Sequence, residues 1–97
     1  MNTLIITFDL VNAAVNYEMV VKKIRLHQHW ARLGTSAYLI KTHLTVLQVR
    51  DDLRQALKNG DKLFVGVCPV PSAWHGQPED VSKWILQNQP QGGAVMR

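Results

Sequence analysis

Asp9 closes the opening run "TLIITFD", a carboxylate at the far end of an apolar stretch, just before the chain turns. Aspartate in such a place commonly shapes a turn or caps a helix, because its carboxylate accepts hydrogen bonds from nearby backbone N–H groups. It also suits half of a metal site. One carboxylate is a poor ligand set, yet Mg²⁺ takes one or two and keeps several waters. A two-fold dimer presents the same residue twice. Two Asp9 side chains facing across the axis would hold one Mg²⁺ or Mn²⁺, and that ion would activate water against a phosphodiester. Asp9 is thus the candidate metal ligand and catalytic residue.

The cations form the second group. Arg50, Arg54 and Lys58 recur every four residues and share one helical face. Like charges at that spacing repel by a few tenths of a kcal/mol per pair, roughly, and Asp51 and Asp52 stand close enough to relieve it. Lys22, Lys23 and Arg25 lie on an earlier helical segment. Two helices on one side of a sheet would join these six into a phosphate-binding surface. The plainer reading is an ordinary solvated face.

Trp74, in "PSAWHGQ", is the third candidate. A loop tryptophan can seal a hydrophobic edge, stack on a base or anchor a partner. The histidines offer less. His27 and His29 in "HQH" share a face only if extended, and neither they nor His43 and His75 stand in an HExxH pattern or beside a cysteine set. Cys68 is the sole cysteine, so there is no internal disulfide and no multi-cysteine zinc cluster. Among valines it reads as a small buried apolar residue. The sequence holds no GxxxxGK[ST], GxGxxG or GxSxG, so nothing in it supports nucleotide hydrolases or esterases of those types.

These residues need elements to position them. Thr3 to Phe8 is a short, β-branched run, hence a buried strand. "VNAAVN" reads as a loop with Asn16 as N-cap, and Tyr17, Val20, Val21 and Ile24 then mark an amphipathic helix to about Gln28. Trp30 to Leu33 and Thr35 to Lys41 read as two strands around Gly34, too close for a parallel crossover. "LTVLQV" carries the clearest start signal. Thr45 and Gln48 make a capping box, with Leu44 and Val49 as its hydrophobic staple. Val49, Leu53, Ala56 and Leu57 form the buried stripe, and the helix should run to Lys58 with Gly60 past its end. Lys62 to about Cys68 is the next strand, stopped by Pro69 and Pro71. After the "PSAWHGQ" loop, Pro78 begins a third helix with Val81, Trp84 and Ile85 inward.

The order is strand, helix, two strands, helix, strand, and an added helix. It predicts an α+β fold, a ferredoxin-like βαββαβ sandwich with an added C-terminal helix. Residues 1–88 make a single domain that includes the appended helix 78–88, and 89–97 form a tail. Two helices should cover one sheet face. The other needs the third helix, a partner subunit, or both. A chain of 97 residues, 46% hydrophobic and 19% charged, suits one packed domain that gains from oligomerisation. The net charge of +4 permits an anionic partner. No secretory signal or membrane run is visible, so a soluble, cytoplasmic protein is expected.

The ordered set "TFDL", a helix with an early tyrosine, "TSAYLIKT" leading into "LTVLQVRDDLRQAL", and "NGDKLFVGV" resembles one family. These are the small ferredoxin-like proteins related to the second CRISPR-associated adaptation protein and to virulence-associated protein D, in particular their short stand-alone bacterial members. The likeness covers roughly residues 3 to 68. It implies a homodimer and, in some members, metal-dependent endonuclease activity with the aspartate after the first strand on the metal; Asp9 holds that place. Other members are DNA-binding scaffolds. The chain departs from the adaptation type at "SAYLIK", where Lys41 stands in place of an acidic residue, and in its tryptophan-bearing last helix.

The reading is therefore a homodimeric nucleic-acid-binding protein, acting on RNA or DNA, and as an enzyme a Mg²⁺- or Mn²⁺-dependent endonuclease using Asp9 from both subunits. The alternative is a non-catalytic dimeric scaffold or protein-interaction module on the same fold.

Overall fold

A computed structural model describes residues 1–70 and 72–88, and the backbone of 95–96. Its main elements are β1 (Asn2–Asp9), α1 (Ala13–Arg25), β2 (His29–Gly34), β3 (Ala37–Thr42), α2 (Val46–Arg54), β4 (Lys62–Val67) and α3 (Glu79–Asn88). Between the last two lies β5 (Ser72–Ala73), which pairs in parallel with β6 (Val95–Met96). The "PSAWHGQ" segment, expected as loop throughout, therefore contains a short strand. The remainder of the expected tail lies outside the described residues.

The four long strands form one antiparallel sheet in the order β2-β3-β1-β4. Side chains alternate across it. Leu4, Ile6 and Phe8 of β1 point to one face with Tyr38 and Ile40 of β3. There they meet Val20, Val21 and Ile24 of α1 and Val49, Leu53 and Ala56 of α2. The 3.6-residue spacing of those helical positions makes each helix one-sided, and burying the apolar side on the sheet stabilises both layers.

α2 begins where the sequence places it. The Thr45 hydroxyl accepts from the Gln48 N–H at 3.1 Å, and the Gln48 carboxamide oxygen accepts from the Thr45 N–H at 2.9 Å. It ends at Arg54, earlier than expected, and i→i+3 bonds from Ala56 and Leu57 tighten the last turn.

α1 differs from expectation. It starts at Ala13 and ends at Arg25, and Asn16 lies inside it, buried. Two alanines, strong helix formers, extend the helix backwards. The Asn16 carboxamide is drawn instead into a tertiary contact. Its Nδ2 donates to the Ala56 carbonyl at 2.9 Å and to Asp61 Oδ2 at 2.8 Å. Asn12 takes the N-cap position without a side-chain cap bond.

The sheet's second face carries a smaller core. Ala31, Leu39, Cys68, Val81 and Ile85 are buried there, with Ile5, Leu33, Trp74 and Trp84 packed around them. α3 is tied down at three points. Gln77 Nε2 donates to the Leu33 carbonyl at 3.0 Å, Trp74 Nε1 to Ser82 Oγ at 2.9 Å, and the Thr3 hydroxyl to the Asn88 carbonyl. The added helix thus covers β2, β3 and the Thr3–Ile5 and Cys68 end of β1 and β4. The other end of that strand pair, where Asp9, Lys62 and Phe64 are exposed, lies beyond it.

Candidate nucleic-acid interface

Register fixes the neighbours of Asp9. It pairs with Lys62 across β1 and β4, and Thr7 pairs with Phe64. Directly opposed residues share a face, so Asp9, Thr7, Lys62 and Phe64 stand together on the second face. They line a shallow depression of about 200 Å³. Asp9 is exposed, and its side chain makes no hydrogen bond or ion pair among the described residues. The capping role open to it in the sequence is not taken up, because α1 starts at Ala13 without a side-chain cap. Phe64 is 63% exposed, an unusual state for an aromatic residue on a strand.

The carboxylate that organises this end of the molecule is Asp61. Its Oδ1 accepts from the Val11 N–H at 2.8 Å, and its Oδ2 from the Lys58 N–H at 2.7 Å and from Asn16. It thereby joins the loop after β1, helix α1 and the turn before β4. Those donors, the Lys58 N–H foremost, hold its carboxyl below the ordinary value. Gly60 beside it adopts φ +89°, and a side chain there would press on Val11 at 3.0 Å. Sequence reading missed Asp61 because an acid after "NG" is an ordinary turn residue; its three-residue reach back to Lys58 is the available signal.

The six predicted cations fall into two groups. Arg50, Arg54 and Lys58 run beside edge strand β4. Arg50 lines a groove with Leu47, Leu63 and Phe64, and all three line the adjoining one with Leu63. Asp51 pairs with Arg50 at 2.8 Å and with Arg54 at 3.5 Å, so this row keeps a net positive charge. Lys22 and Arg25 border a different depression with Glu18 and Leu26. The Arg25 guanidinium lies 5.1 Å over the Trp30 ring on β2, the opposite edge strand. Lys23 stands between the helices and pairs with Asp52 at 3.2 Å. Both helices share one sheet face, as expected, but their basic residues turn outward toward opposite edges rather than forming one surface.

Trp74 is half-buried, hydrogen-bonded to Ser82, and lines an apolar cleft of about 310 Å³ with Ile5, Leu39, Cys68 and Ile85. It seals the second core. Cys68 is buried in the same place, and burial pushes its thiol up, away from thiolate chemistry. His27 is half-buried at the end of α1, and desolvation lowers its pKa against a smaller opposing pull from Asp52.

Among the described residues no three His, Cys, Asp or Glu side chains are grouped to hold a metal ion. In the depression that it lines, Asp9 is the single carboxylate and stands opposite the Lys62 ammonium, so the described residues around it do not by themselves make a divalent-ion site. No helix among the described residues is long and apolar enough to cross a membrane. No protein-family model matches the chain, and no curated protein matches it.

Proposed function

We propose that this protein binds the phosphate backbone of nucleic acid along the β4 edge, on a ferredoxin-like fold, and works as a homodimer. The carrying observation is the meeting at one sheet edge of a row of cations, Arg50, Arg54 and Lys58, with the exposed Asp9–Lys62 end of the second face. Phosphate contacts of this kind position a strand without reading its sequence. The net charge of +4 favours the encounter.

Endonuclease activity is the enzymatic form of this reading. Asp9 is a carboxylate with no structural duty, next to a cation on the same face. A second Asp9 across a dimer axis would complete a two-carboxylate site for Mg²⁺ or Mn²⁺, whose chemistry would be to lower the pKa of a bound water. The resemblance to the adaptation and virulence-associated proteins points the same way.

The test uses labelled RNA and DNA with Mg²⁺, Mn²⁺ or EDTA, for the wild type and Asp9→Ala. Cleavage that requires both the metal and Asp9 establishes the nuclease. Salt-sensitive binding without cleavage leaves a scaffold, with a log–log salt slope that Arg54→Gln and Lys58→Gln each lower by about 0.7–0.9. Absence of binding to either polymer refutes the proposal and returns the protein to the interaction-module class.

A further inference from the structure

We infer that Phe64 is a base-stacking platform and that the substrate class of the β4 edge is single-stranded nucleic acid. The inference rests on the nucleic-acid reading above and narrows it. Phe64 stands on the sheet face opposite the main core, where Leu63 and Val65 point. Its ring leans along the strand over Gly66. A Cβ placed on Gly66 would lie 2.9 Å from Phe64 Cε1 and 3.4 Å from Cζ. The glycine therefore gives the ring a flat seat against the sheet and leaves its outer face to solvent.

Charge surrounds this ring in the pattern a strand of nucleotides requires. Lys62 is on the same face, two residues back, or roughly 6.8 Å along the strand. That spacing suits a phosphate on the ammonium and the adjoining base on the ring. Arg50 borders Phe64 from the α2 side of the edge. A cationic track with an aromatic ring beside it is how proteins bind single strands without sequence preference. A duplex keeps its bases stacked inward and has none to offer the ring. Asp9, across from Lys62, would then stand beside the backbone of the bound strand.

The occupant is set by this charge pattern. A protein partner uses an aromatic ring and an arginine readily but leaves lysine and aspartate out of its interface centre, and here Lys62 and Asp9 stand beside the ring. A nucleic-acid strand uses both the ring and the lysine.

The experiment measures anisotropy of a labelled oligo-dT, an oligo-U of equal length and an equal-length duplex, in EDTA, with sedimentation of each variant. The wild type should bind both single strands more tightly than the duplex. Phe64→Ala and Phe64→Leu should each weaken single-strand binding about 5- to 100-fold, leaving the salt slope and duplex binding unchanged. Phe64→Trp should preserve affinity. Gly66→Ala should weaken single-strand binding with the phenyl ring retained, by tilting it off its seat.

Full retention of affinity by Phe64→Leu overturns the stacking role. So does equal loss on duplex and single strand, or a shift of Phe64→Ala to a smaller oligomer, which would make the ring a subunit contact. Wild-type binding to duplex at least as tight as to single strands overturns this inference alone. Wild-type binding to none of the three probes overturns it together with the proposed function.

Discussion

The two faces of the sheet are built differently. On one, α1 and α2 bury Leu4, Ile6, Phe8, Tyr38 and Ile40 in a continuous apolar layer. On the other, α3 and Trp74 cover β2, β3 and one end of the β1–β4 pair, at Ile5 and Cys68. At the β1–β4 end of that second face the side chains are Asp9, Thr7, Lys62 and Phe64, two of them charged and one an exposed aromatic. The first face is closed by the fold's own hydrophobic drive. The second is closed far enough to stabilise the chain and leaves one end exposed.

The contrast predicts unequal costs. Ile6→Ala, at a fully buried site in the larger core, should destabilise by about 2–5 kcal/mol. Ile85→Ala, in the smaller core, should fall near the bottom of that range, at about 2 kcal/mol. Denaturant midpoints at constant m-value check both. Equal losses would mean that the second face contributes as much cohesion as the first.

Asp61 allows a pH test of the junction it makes between the loop after β1, helix α1 and the turn before β4. Its folded carboxyl is held below the ordinary value, so it adds stability at pH above the unfolded pKa. That contribution falls away as pH drops through the lowered folded value. Asp61→Asn should be less stable than the wild type at neutral pH, and the gap should close in acid. His27 works in the same direction at higher pH: with its folded pKa lowered, stability declines as pH falls through the usual histidine range. His27→Gln should remove that slope while leaving the acid limb of Asp61 in place.

The smallest of these effects belongs to the capping box. Thr45→Ala removes the acceptor for the Gln48 N–H and should cost about 1 kcal/mol. Thermal unfolding should show it as a modest drop in Tm, with nucleic-acid binding unchanged, since Thr45 itself lines neither of the depressions that hold Asp9, Lys62 and Phe64.

Features encoded locally could be read from the chain. The element order, the Thr45–Gln48 box, the stripe of Val49, Leu53 and Ala56, and the inward Val81 and Ile85 all follow from periodicity and end signals. Asn16 was misjudged as a cap because an asparagine before a periodic run normally is one. Here its long-range bond to Asp61 outweighs the local preference, which no neighbouring residue announces. The division of the cations depends on how each helix is rotated about its axis, which burial of Val20, Val21, Ile24 and of Val49, Leu53, Ala56 on the sheet sets only on docking. The exposure of Phe64 is hidden for a similar reason. Alternation in "KLFVGV" reads as a strand, but whether its outer face is covered depends on where α3 lands. Asp9 was visible as a candidate, and its lack of structural partners emerged only with the fold.

The central claim is that the uncovered end of the second face is a nucleic-acid site. Titrating ¹⁵N-labelled protein with a single-stranded oligonucleotide, residue by residue, tests it most directly. The amides of Thr7, Asp9, Lys62, Phe64 and Gly66 should shift, together with those of Arg50 and Arg54, while Val81 and Leu39 stay in place. Shifts confined to α3 or to the Arg25–Trp30 edge, or none at saturating oligonucleotide, would contradict it.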